Sequence, residues 1–134
     1  MNFEMSDDRR MLADTLRRYL GEAYGFEHRV KAAYEAPFHD PERWTALAEL
    51  GVLYAFADEA AGGMGGGGFD VAVVFEEIGR ALCPEPVLPA LLSLRLLLAA
   101  GRDSDELLSG KTRWAVAIGE TDAAWDADAV SARA

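Results

Sequence analysis

The chain has 134 residues, half of them apolar and about a quarter charged, with a formal net charge of −10 from 13 basic and 23 acidic residues. That length supports one domain with a real core, and the composition excludes a disordered chain. The acidic excess repels a phosphate backbone, which argues against nucleic-acid binding, and the single cysteine, Cys83, excludes an internal disulfide framework.

Met1 to Asp8 carries neither the basic region nor the apolar stretch of a signal peptide. Together with the lone cysteine this points to a reducing, cytoplasmic setting. The first helix should start after Ser6, a good N-cap, with Asp7 and Asp8 in its positive first turn. Met11, Leu12, Leu16, Tyr19 and Leu20 recur at helical spacing and form its apolar face. Gly21 and Gly25 weaken the helical pattern beyond Leu20, and a second helix runs from Phe26 to Glu35.

A third helix has the clearest punctuation. Asp40 is the N-cap, Pro41 takes the first helical position and Gly51 stands just past the end. Trp44, Leu47, Ala48 and Leu50 supply its buried side. Val52 to Ala57 is a short apolar run, followed by a loop from Asp58 to Gly68 too rich in glycine for a helix. A fourth helix is expected from Asp70 to Leu82, with Val71, Val74, Phe75 and Ile78 on one face. Cys83-Pro84-Glu85-Pro86 breaks the chain.

Val87 to Ala100 reads as a fifth helix, apolar nearly all round and so central. At roughly 20 residues for a bilayer span it is too short to be a membrane anchor, and Pro89 and Arg95 interrupt it. A short helix near Asp105 to Leu108 closes the helical part. Trp114 to Ile118 then reads as a strand, with a weaker alternation at Val130 to Ala134. The expected fold is therefore mainly α. It is a bundle of about five to six helices over residues 1–112, with the first strands of a following β domain at 113–134.

Chemistry-bearing motifs are sparse. Gly63-Met64-Gly65-Gly66-Gly67-Gly68 matches the dinucleotide pattern G-x-G-x-x-G and precedes a helix. Asp58, Glu59 and Asp70 would set negative charge beside a pyrophosphate, and three helices stand where a βαβ unit should begin. A turning connector is the better reading. Adjacent Glu76 and Glu77 point about 100° apart on a helix, so they do not converge as an acid–base pair. One should face solvent and one should be partly buried. His28, His39 and Cys83 share no metal-ligand spacing, and no nucleophile elbow is present. Residue chemistry alone assigns no catalytic residue and no metal.

Several segments in order resemble the N-terminal domain of acyl-CoA dehydrogenases. They are Phe3 to Leu12, Trp44-Thr45-Ala46-Leu47-Ala48-Glu49-Leu50-Gly51-Val52-Leu53, Asp58-Glu59 before Gly62-Gly63-Met64-Gly65, and Phe75-Glu76-Glu77-Ile78-Gly79-Arg80. Ala81 to Pro86 resembles most the small-subunit type, as in pimeloyl-CoA dehydrogenase. The resemblance implies a helical domain, a middle β domain and a C-terminal bundle. It implies FAD as cofactor and an acyl-CoA as substrate. A carboxylate from the C-terminal part takes the α proton, and the β carbon gives hydride to flavin N5. It implies a dimer or tetramer, homomeric or heteromeric, that passes electrons to an electron-transfer flavoprotein. It places Val87, Ala90 and Leu91 in the acyl pocket, and Ile118, Gly119 and Glu120 against the flavin. The family's T-E-P-x-A-G-S-D stretch is here Gly119-Glu120-Thr121-Asp122-Ala123-Ala124-Trp125-Asp126, a departure that also admits a non-catalytic partner subunit.

Overall fold

The computed structural model describes residues 4–117. Helix α1 (Asp7–Ala23) begins where Ser6 Oγ accepts the Arg9 amide at 3.4 Å, an acceptor for one of the orphan N–H groups of the first turn. Its buried stripe is Leu12, Leu16 and Leu20, spaced four apart. Each such side chain, taken from water into the core, contributes about 1.5–3 kcal/mol. Helix α2 (Phe26–Tyr34) buries only Ala32. Helix α3 (Pro41–Glu49) follows its predicted punctuation: Asp40 accepts from Glu42 and Arg43, and Gly51 takes φ +86 past the end. Trp44 Nε1 donates to Gly110 O at 3.0 Å and ties α3 to the far end of the domain.

The apolar run 52–57 is a turn of tight helix at Tyr54–Phe56, with Val52, Leu53, Ala55, Phe56 and Ala57 all buried. A second single turn, Glu59–Ala61, comes next. Helix α4 (Gly68–Ala81) starts two residues before the expected Asp70. The physical reason is Asp70 itself. Seated three positions into the helix, its Oδ2 reaches back to the Gly67 amide at 2.9 Å and caps the start. The helix ends with Leu82 in the left-handed region, φ +51. Helix α5 (Val87–Ala99) and the short α6 (Asp105–Leu108) complete the order.

Two ion pairs fix how α1 and α4 lie together. Arg9 Nε meets Asp70 Oδ1 at 2.7 Å, and Arg17 Nη2 meets Glu77 Oε1 at 2.5 Å. Both partners advance along the chain by nearly the same number of residues, so the two helices run parallel. Phe75 on α4 stacks on Phe56, with ring centroids 5.8 Å apart and planes at 18°.

The expectation that α5 is central holds for one side only. Val87, Ala90, Ser93 and Leu94 are buried, while Leu88, Leu92 and Leu96 are 53%, 43% and 57% exposed. They form an i, i+4 apolar stripe that nothing in the described residues covers. Residues 113–117 carry no regular secondary structure, and none of the described residues forms a strand. A strand needs a ladder partner, and no described segment supplies one.

Candidate functional site

The glycine loop is a packing device. A Cβ on Gly63 would lie 2.2 Å from the Ala57 carbonyl oxygen, and one on Gly66 would lie 2.8 Å from that of Phe56. Glycine is needed because the loop is laid flat on the backbone of 56–57. Four of its amides are spent inside the protein. Gly63 N donates to Asp58 O at 2.8 Å, Met64 N to Tyr54 O at 3.0 Å, Gly65 N to Ala57 O at 3.1 Å and Gly67 N to Asp70. No strand precedes the loop among the described residues, so the dinucleotide reading does not hold.

Glu76 and Glu77 divide as expected. Glu76 is on the surface and pairs with Arg80 at 2.7 Å. Glu77 is 3% exposed and accepts two bonds from Arg17, at 3.1 and 2.5 Å. The bidentate pair raises the Arg17 pKa, chiefly through the hydrogen bond and then through the charge of Glu77. A carboxylate so held is a structural anchor.

The region with unusual chemistry lies where α1 ends and α5 begins. Glu85 is 5% exposed, between Pro84 and Pro86. Its Oε1 accepts from the Tyr24 hydroxyl at 3.3 Å and from the Asp40 amide at 3.2 Å, while Oε2 is buried without a protein partner among the described residues. Burial pushes the Glu85 carboxyl up, against the lowering effect of those two donors. Burial likewise pushes up the Cys83 thiol and, strongly, the Tyr24 hydroxyl. Such a thiol is a poor nucleophile. Arg43 lies over the Tyr24 ring at 5.3 Å and caps α1 through the Ala23 carbonyl. Asp40 ends lower than usual: burial opposes this, but hydrogen bonds from Arg43 and Glu42 outweigh it.

This network sets the start of α5, which carries the expected pocket residues. Val87 and Ala90 are each 1% exposed and packed in the core, and Leu91 is partly buried against it. A cleft of about 310 Å3 opens beside them, walled by Phe38, His39, Pro84, Pro86, Pro89 and Trp114 among others. Ile118, Gly119 and Glu120 lie outside the described residues. Sequence reasoning alone misses Glu85. The available signal is an acid set between two prolines in an otherwise apolar stretch.

The fold and its motifs find their match among acyl-CoA dehydrogenases. The family model of the acyl-CoA dehydrogenase N-terminal domain covers residues 6–104. The chain belongs to the acyl-CoA dehydrogenase family, of which it carries that helical domain. It is similar to acyl-CoA dehydrogenase IpdE2 of Mycolicibacterium smegmatis, 38% identical over 110 residues, which are 79% of this chain and 35% of that protein. The protein of the same name from Mycobacterium tuberculosis is 33% identical over 105 residues, 77% of this chain and 33% of that one. Among solved structures, a variant of the Tcur3481-Tcur3483 steroid ACAD superposes with a TM-score of 0.75 at 27% identity, over 86% of this chain and 33% of that chain. The chain thus spans about a third of the length of these relatives. Among the described residues no helix is long and apolar enough to cross a membrane.

Proposed function

We propose that this chain is the N-terminal helical part of a subunit of an FAD-dependent acyl-CoA dehydrogenase, which desaturates an acyl-CoA thioester between its α and β carbons. The observation that carries this reading is the family domain matched over residues 6–104 on a fold that superposes on a steroid ACAD. In this reading Val87, Ala90 and Leu91 form the small apolar floor of the acyl site. The Glu85 network positions them, and Ile118, Gly119 and Glu120 meet the flavin. The uncovered stripe Leu88, Leu92 and Leu96 is the face on which the rest of the subunit packs. The acyl group is of the steroid-derived class, following the structural neighbour. The subunit is cytoplasmic, assembles with other acyl-CoA dehydrogenase subunits as a dimer or tetramer, and delivers electrons to an electron-transfer flavoprotein.

A second reading is a non-catalytic subunit in a heterotetramer. Two observations favour it. Gly119-Glu120-Thr121-Asp122 departs from the family's threonine and proline, and the name of the structural neighbour pairs two components. Dye reduction by the full-length protein with steroid side-chain CoA thioesters separates the readings. Turnover by the protein alone supports the first. Turnover only after co-expression with an acyl-CoA dehydrogenase paralogue selects the second. An absence of turnover in both preparations, across straight-chain and steroid thioesters, refutes both.

A further inference from the structure

The acidity of the molecule is not uniform. An open cleft of about 310 Å3 lies between α1, the start of α2 and the end of α4. Three guanidinium groups from three different helices line it: Arg17, Arg29 and Arg80. Among the described residues, Glu77 is the one acid of its wall. Existing bonds use little of this donor set. Arg17 is committed to Glu77, but Arg29 gives one N–H to the Ala81 carbonyl at 3.2 Å and Arg80 gives one to Glu76 at 2.7 Å. Each guanidinium carries five N–H donors in a fork that matches a phosphoryl group. Arg80 stands 3.6 Å from Glu77, too far for a close hydrogen bond. Glu77, surface Glu76 and Asp14, which also acts on Arg17, match the three positive charges, so the cleft is locally balanced in a chain of net charge −10.

Two of the wall positions of the cleft, Gly21 and Gly25, have no side chain. A Cβ at Gly21 or Gly25 would meet no atom within 4 Å. Neither position has a φ that demands glycine, and Gly21 sits within α1, where glycine weakens the helix. Packing does not require Gly21, and Gly25 stands at the N-cap of α2, a position where glycine is common.

We propose that this cleft binds a phosphate-bearing ligand, with one phosphoryl group held between Arg29 and Arg80 and the charge of Arg17 behind it. The ligand's source is free phosphate or the phosphorylated end of a nucleotide, and the chemistry of recognition is the same for both. The test is calorimetric titration of the full-length protein with inorganic phosphate and with adenosine 3′,5′-bisphosphate, at fixed ionic strength. Arg29→Gln and Arg80→Gln should each weaken binding about tenfold or more, the usual scale for losing one partner of a charge-assisted contact. Arg102→Gln, exposed and outside the cleft wall, should change it less than about twofold. Gly21→Leu keeps all three arginines and the helix, so loss of binding in that variant reports a filled cleft rather than a lost fold. Tighter binding of the bisphosphate assigns a nucleotide, and equal affinity per phosphoryl group assigns free phosphate. Binding that is absent in the parent protein, or unchanged in Arg29→Gln, Arg80→Gln and Gly21→Leu, overturns the proposal.

Discussion

Two buried glutamates, Glu77 and Glu85, are held by opposite means. Glu77 sits on the α1–α4 seam at 3% exposure, and Arg17 reaches in from solvent to pair with it through two bonds. Glu85 sits at 5% exposure under the start of α5 with neutral donors only, the Tyr24 hydroxyl and the Asp40 amide. Burial at the first site is compensated by a cation, whereas at the second it is met by a shift toward the protonated acid. The seam is therefore a charged clamp between two parallel helices. The start of α5 is held by a polar network beside the expected acyl pocket, in which Glu85 meets neutral donors while Asp40 pairs with Arg43.

Breaking the clamp from the arginine side should cost most. Arg17→Met leaves Glu77 buried with only Arg80 at 3.6 Å, and the expected fall in thermal midpoint is larger than for any single change at Glu85 or Glu76. The paired change Arg17→Met with Glu77→Leu should recover most of that loss, since an apolar pair of similar volume leaves no buried charge. Failure of the double variant to recover would show that the seam depends on charge rather than on packing. Glu85→Ala strands two donors and should cost about 2 kcal/mol in denaturant unfolding. Glu85→Gln keeps the acceptor and removes the titration. A carboxyl raised in the folded state contributes stability that is fully present below the ordinary carboxyl range and is lost as pH rises through the folded value. The parent should therefore lose stability relative to Glu85→Gln as pH rises, and the two should converge in acid. The smallest effect belongs to Glu76→Gln, an exposed i, i+4 pair, at under about 0.5 kcal/mol.

Local chemistry is legible in the sequence, and distant pairing is not. The caps at Ser6 and Asp40 and the stop at Gly51 depend on neighbours within one or two helical turns, and the division of Glu76 from Glu77 follows from their angle on one helix. The start of α4 departs from expectation because Gly68 reads as a breaker, while Asp70 acts backwards on Gly67. Glu85 is illegible because its partners Tyr24 and Asp40 are 61 and 45 residues away. The all-round apolar character of α5 does not tell a core helix from one with a face left for another domain. Family motifs supply what periodicity cannot, since their order along the chain encodes a shared fold rather than a local one.

Service in a flavin-dependent dehydrogenase is tested most directly by the visible absorption spectrum of the full-length protein purified alone. The predicted result is a flavin band that travels with the protein through gel filtration and bleaches on anaerobic addition of an acyl-CoA substrate. A colourless protein that stays colourless after incubation with FAD, alone and when co-expressed with an acyl-CoA dehydrogenase paralogue, would contradict it.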